Sequence, residues 1–297
     1  MISVIICSPD INRARTVSQH VSASIGVPHE VLIVSDAAAQ GGMCAAYNEA
    51  ASHAQYDICC FMHDDVELHT PLWGQRVRDH FASDPALGLI GLAGSRYKSA
   101  VLSGWATGLS AYDCCNILQS TPSGVPARVW MHPGAATNLR VPVKTLDGVW
   151  MCARKNVWEQ IRFSEVIPGF HFYDLDFSLR VSRKFTTGVV YDIDLLHYSQ
   201  GNFGSAWVKN AIQFHEEWNT VPLPVSVAPA LIGTEKAIRN FWLNRLLKEK
   251  ISGKVRRRWL RLNGVYTQPS LWKEGFKFFI YPVFYRLKRG KKLCVNQ

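Results

Sequence analysis

The stretch DICCFMHDDV, residues 57–66, decides how this chain is read. Five apolar residues run without a charge, the pattern of a strand buried on both faces. The run then stops at His63-Asp64-Asp65. An ionised carboxylate is too costly to bury unless it is paired or bound to a cation. The strand must therefore open onto water, a metal ion or a ligand.

Working outward, SVIIC (3–7) is a second short apolar run, ended by Ser8-Pro9, and EVLIVSD (30–36) is a third, ended by Asp36. Helical patterns separate them: one from about residue 12 to 25, and MCAAYNEAASHA (43–54) after Gly41-Gly42. Thr70-Pro71 reads as an N-cap and first helical residue opening LWGQRVRDHFA, and LGLIGLAG (87–94) as the next strand. Strands alternating with helices at this spacing imply βαβ units and a mostly parallel sheet. Residues 95–142 lose periodicity and read as a long irregular, substrate-facing segment. Order returns with KTLDGVWMCARK (144–155), the helix YDLDFSLRVSRKF (173–185), a strand and turn in GVVYDIDLLHYSQG (188–201), and the helix SAWVKNAIQFHEEW (205–218).

In open α/β sheets ligands bind beyond the carboxyl ends of the strands, which is where Ser8, Asp36 and His63-Asp64-Asp65 fall. Alternation along a strand gives His63 and Asp65 one direction and Asp64 the other. Carboxylate oxygen suits Mg²⁺ or Mn²⁺, and imidazole is acceptable to Mn²⁺. Asp36 and Asn48 are equally readable as local capping residues. Asp174 and Asp176 stand at a helix start, where the dipole favours negative charge; either could face a pocket as a general base, and Asp176 could instead pair with Arg180 at i,i+4. His197 gains meaning only if it comes near Asp65.

Taken together, SVIICSPD, VLIVSD, AAYNEAA, FMHDDV, TLDGVWMCARK, FYDLDFSLR and HYSQG resemble, in order, the motifs of an inverting, family-2-like glycosyltransferase with the GT-A fold. The resemblance covers about residues 1–220. It implies an α/β GT-A fold with a mostly parallel central sheet and flanking helices. Ser8, Asp36, Asn48, Asp64 and Asp65 would contact the nucleotide-sugar, and Asp147 and Gly148 would line the sugar and acceptor pocket. Asp65, with His63 and His197, would hold Mn²⁺ or Mg²⁺, and Asp174 would be the catalytic base. The implied reaction moves a sugar from a nucleotide-diphosphate donor, a UDP-sugar by preference, to a hydroxyl of a saccharide or lipid-linked acceptor in surface polysaccharide or glycoconjugate synthesis. Two positions depart from the family pattern: His63 replaces the first Asp of D-x-D, and Tyr173 replaces the Glu of E-D-x-D-L. The alternative they suggest is a catalytically inactive GT-A-like module that binds nucleotide or glycan.

The 297 residues, 47% hydrophobic and 19% charged, suffice for one large α/β domain with an appendage. No apolar run is long enough for a membrane-spanning helix, and MISVIIC lacks the basic region of a signal peptide, so a cytoplasmic protein is expected. The eight cysteines include no C-x-x-C pair and sit mostly in apolar runs, which excludes a zinc cage and favours buried thiols. Charge divides the chain. Residues 231–297 hold 17 basic and 3 acidic side chains, a balance of +14, whereas residues 1–230 hold 16 and 20, a balance of −4. The extent of the resemblance, with Pro222 and Pro224 closing the body, implies a GT-A glycosyltransferase domain, 1–220, and a basic aromatic helical extension, 221–297. Interleaved Trp, Phe, Tyr, Lys and Arg read as peripheral contact with an anionic membrane, here the inner face; a helical lid on the catalytic body is the alternative. No nucleic-acid module accompanies the charge, so nucleic acid is not an expected partner.

Overall fold

The computed structural model describes residues 1–35, 41–135, 137–199, 201–273, 275–278 and 280. A seven-stranded sheet forms its centre, in the order Arg140–Pro142, Thr186–Val190, Leu87–Gly91, Trp150–Arg154, Ile58–Met62, Ile2–Cys7, His29–Val34. Ile2–Cys7 is parallel to both neighbours, and Thr186–Val190 is parallel to Leu87–Gly91. Trp150–Arg154 runs antiparallel between Leu87–Gly91 and Ile58–Met62, and Arg140–Pro142 is an antiparallel edge. The sheet is thus mixed, with three parallel ladders of six. Ile2–Cys7, Ile58–Met62 and Leu87–Gly91 are buried throughout, which is why they read as unbroken apolar runs.

Helix Ile11–Ser24 begins at a true cap: Asp10 Oδ1 accepts from the Asn12 and Arg13 amides. The expected Thr70-Pro71 cap is not formed. Helix Trp73–Ser83 starts after Leu72, which is left-handed with φ 57°, and the Thr70 hydroxyl accepts from the Asp194 amide at 2.7 Å. The Leu72 and Gly74 amides instead donate to the carbonyls of Ser24 and Ile25, so the end of helix Ile11–Ser24 satisfies this one's start.

Residues 95–142 are also more ordered than their composition suggests. They contain Asp113–Gln119 and Ala127–Met131, paired antiparallel, together with the short strands Tyr97–Lys98 and Arg140–Pro142. Asp113–Gln119 is the spine of a second sheet, flanked by Ala93–Ser95, Leu195–His197, Val66–Leu68 and Thr145–Leu146. The run 188–201 accordingly splits into two strands, one in each sheet.

The C-terminal segment packs on the body. Helices Thr234–Leu246 and Gly253–Leu262 bury Ile238, Trp242, Leu243, Leu246, Val255, Trp259 and Leu260 in the apolar cluster that also contains Phe61, Tyr173 and Trp207. Trp242 stacks on Trp207 at 4.8 Å and 11°, and Trp259 donates to the Leu102 carbonyl. Arg256, 3% exposed, spends its guanidinium on the carbonyls of Glu249, Ile251 and Phe278. Buried residues on both sides of 220/221 thus share one apolar cluster. Among the described residues no helix is long and apolar enough to cross a membrane.

Candidate active site

Two ladder registers assemble the site. Pairing of Trp150 with Met62 ends the main sheet, and the His63 amide then donates to the Val149 carbonyl. This brings the Asp147-Gly148 loop beside His63. In the second sheet His197 pairs with Val66, and the Tyr198 amide donates to the Asp65 carbonyl. His63, Asp65 and His197 consequently offer ligand atoms that all lie within 4.8 Å of one another. His63 Nδ1 and His197 Nε2 are each 3.7 Å from Asp65 Oδ1.

The donor set fits a divalent cation. Bonds of about 2.1 Å to one centre place neighbouring ligand atoms roughly 3.0–3.5 Å apart, a few tenths of an ångström inside the 3.7 Å between each imidazole and Asp65 Oδ1. Burial lowers the His197 pKa, which favours the neutral imidazole that ligation needs. One carboxylate and two neutral imidazoles would leave a divalent ion with net positive charge toward an anionic ligand.

Asp174 is the second residue of helix Tyr173–Val181. The preceding Phe172 is left-handed, with φ 70°, a conformation held by packing on Trp207 and Phe214. Asp174 Oδ2 accepts from the Gly148 amide at 2.9 Å. Burial, and then the nearby negative charge of Asp147, push its pKa up to about 7. Asp147 is fixed by the Val149 amide at 2.9 Å and the Trp105 indole N–H at 2.6 Å. Gly148 leaves room that no other residue could, because a Cβ there would collide with the Tyr173 hydroxyl.

His63, His197, Asp147 and Asp174 line one cleft of about 440 Å³. Its lining is also rich in aromatic side chains, among them Trp105, Phe203, Trp207, Phe241 and Trp242. Phe241, Trp242 and Arg245 come from helix Thr234–Leu246, so the basic segment furnishes part of the cleft. None of these three is among the candidate residues read from the sequence. The spacing Ile238, Trp242, Leu246 is an i,i+4 apolar stripe that could have revealed a packed helix.

The other candidates lie apart from this cleft. Asp64 turns toward the first strand end, where it meets the Ser8 hydroxyl and, at 3.5 Å, Arg13 Nη1. Asn48 has both amide atoms engaged. Nδ2 donates to Phe163 O and Glu165 Oε1, and Oδ1 accepts from the Phe163 amide and Trp158 Nε1. Its side chain braces residues 158–165 and offers no free donor to the rim. Asp36 lies outside the described residues. Asp176 is 2.6 Å from Arg180 Nη2 in the i,i+4 ion pair.

The mixed α/β fold with its large central sheet is similar to that of GT-A glycosyltransferases. The chain belongs to the glycosyltransferase like family, whose model matches residues 3–219. Among solved structures, GalNAc-T7 with UDP, GalNAc and Mn²⁺ is similar at 10% identity and TM-score 0.50, over 72% of this chain. The match spans 47% of the GalNAc-T7 chain, about half its length. TarS 1-349 of S. aureus in complex with UDP aligns at 12% identity and TM-score 0.49, over 97% of this chain and 91% of that one. No curated protein matches the chain by sequence.

Proposed function

We propose that this chain is an inverting, metal-dependent glycosyltransferase that moves a sugar from a nucleotide-diphosphate donor, a UDP-sugar, to a hydroxyl of a saccharide or lipid-linked acceptor. The observation that carries the reading is that His63 and His197, grouped with Asp65, line one cleft with Asp174. The family supports transfer of a glycosyl group, and the UDP and Mn²⁺ of GalNAc-T7 support the donor and the ion.

His63, Asp65 and His197 would hold Mn²⁺ or Mg²⁺, whose charge would offset that of the donor's diphosphate. Asp174 takes the proton of the acceptor hydroxyl as that oxygen attacks the anomeric carbon. The bond from that carbon to the diphosphate oxygen breaks, and configuration inverts in one displacement. A carboxylate with a pKa near neutrality is matched to this task. The aromatic lining gives apolar sugar faces or an aliphatic carrier a surface to pack on. Exposed Trp272 and Phe276, beside Lys273 and Lys277, support contact with an anionic membrane that presents the acceptor.

Asp65→Ala is expected to weaken Mn²⁺-dependent UDP binding by on the order of 10²-fold or more, since loss of even an outer-sphere partner costs ~10–100-fold. The fold should persist, because the residue lies at a rim. Calorimetric titration with UDP, with and without Mn²⁺, checks this. Equal affinities for variant and wild type would remove Asp65 from the site.

A further inference from the structure

The two positions that depart from the family pattern touch each other. His63 Nε2 lies 3.0 Å from the Tyr173 hydroxyl, and that hydroxyl lies 3.3 Å from the Gly148 carbonyl. A cation held by Nδ1 takes that nitrogen's lone pair, so the ring's hydrogen then sits on Nε2 and is donated to the phenol oxygen, while the phenol donates its own hydrogen to the Gly148 carbonyl. With Nε2 protonated, the neutral ring carries its lone pair on Nδ1, the atom that faces Asp65 Oδ1.

We infer that Tyr173 is a positioning residue that sets the tautomer of His63, presenting Nδ1 to the cation position and tying that ligand to the loop that holds Asp174. The inference rests on the reading of the trio as a cation site. The hydrogen-bond partner of a ligating histidine's second nitrogen commonly fixes both tautomer and ring orientation. Here the partner has a further connection. Tyr173 directly precedes Asp174, and Gly148 gives its carbonyl to Tyr173 and its amide to Asp174. One peptide loop thus registers the cation ligand against the base. The absent Cβ at 148 is what lets the phenol reach it.

The pairing also links the two departures, because the side chains at 63 and 173 meet each other directly.

The test uses the full chain with ¹⁵N-labelled histidine, in wild type, Tyr173→Phe and Asp65→Ala. The Phe variant keeps the ring that packs against Tyr47 and Phe163, and circular dichroism verifies its fold. In metal-free wild type, imidazole ¹⁵N spectra should assign the His63 proton to Nε2; in Tyr173→Phe the two tautomers should mix. Mn²⁺ affinity, followed by the electron-resonance signal of the free ion, should fall by ~10–100-fold in Tyr173→Phe. A wild-type His63 protonated at Nδ1 overturns the inference, as does a Tyr173→Phe variant with wild-type Mn²⁺ affinity. Wild type binding Mn²⁺ no better than Asp65→Ala would overturn the cation site itself, a failure the tautomer spectra distinguish from that of Tyr173.

Discussion

Asp174→Asn should slow sugar transfer by about 10²–10⁴-fold while nucleotide and Mn²⁺ affinities stay within a few-fold of wild type. Asn keeps the size of the side chain and an oxygen for the Gly148 amide but cannot take the acceptor's proton. The same carboxylate sets the pH dependence. Burial, then the charge of Asp147, raise its pKa to about 7, so transfer should climb with pH through about 7 and level off above. Asp147→Asn removes the like charge and should move that limb to lower pH. Most of the shift should remain, because burial is the larger cause. Stability carries the opposite sign. The folded-state pKa lies above the ordinary value of 3.8, so the folded protein binds the extra proton between about pH 4 and 7 and loses stability as pH rises through that window. Asp174→Asn escapes this loss and should melt higher than wild type at pH 8. Asp176→Asn, which breaks the Arg180 pair, should lower the melting temperature and leave the rate nearly intact. Initial rates from pH 5 to 9 with thermal melts of the three variants check all of this. A flat profile, or near-wild-type transfer by Asp174→Asn, would remove Asp174 from the role of base.

The parts of this site that were legible in the sequence are those set by short-range pattern. The apolar run ending at His63-Asp64-Asp65 located the rim, and strand alternation separated Asp65 from Asp64, as their contacts show. Asp174 was placed at a helix start for the same kind of reason. Long-range pairing was not legible. His197 reaches Asp65 through a three-residue ladder with Val66–Leu68, too short to leave a periodic signal. Asp113–Gln119 was missed because the strand buries polar groups: Thr107 and Gly108 satisfy Asp113, and Asn116 donates to the Ile193 carbonyl. Leu72 displaced the start of its helix through contacts with residues 24 and 25 that no local rule anticipates. In the C-terminal segment the excess of Lys and Arg drew attention to the charged faces. The opposite faces carry the packing, and Phe241 and Trp242 reach the cleft.

That packing decides what removal of the segment should do. A chain ending at Pro224 is expected to aggregate or remain unfolded. It would lose Ile238, Trp242, Leu243, Leu246, Trp259 and Leu260 from the shared cluster. At ~1.5–3 kcal/mol per buried side chain, these six alone match a whole domain's net stability of about 5–15 kcal/mol. Polar groups would be stranded as well. Glu235 takes the hydroxyls of Tyr97 and Ser99, and Asn263 takes the Leu102 amide, so the 97–106 segment beside the cleft would lose its support. A chain ending at Ile280 is the informative partner. It keeps the packed helices and removes five basic residues with no acidic ones. This shorter deletion should unfold cooperatively and bind UDP with Mn²⁺ as wild type does. Each Lys or Arg near an anionic surface contributes ~1 kcal/mol, so vesicle binding by the Ile280 chain should be much weaker than that of the full chain. Residual binding should come from Trp272, Phe276 and the exposed Lys273 and Lys277. Flotation with anionic vesicles at low and high salt reads this out. Full-length protein left unbound at low salt would refute the membrane contact. Cooperative melting and intact UDP binding by the chain ending at Pro224 would refute the shared core.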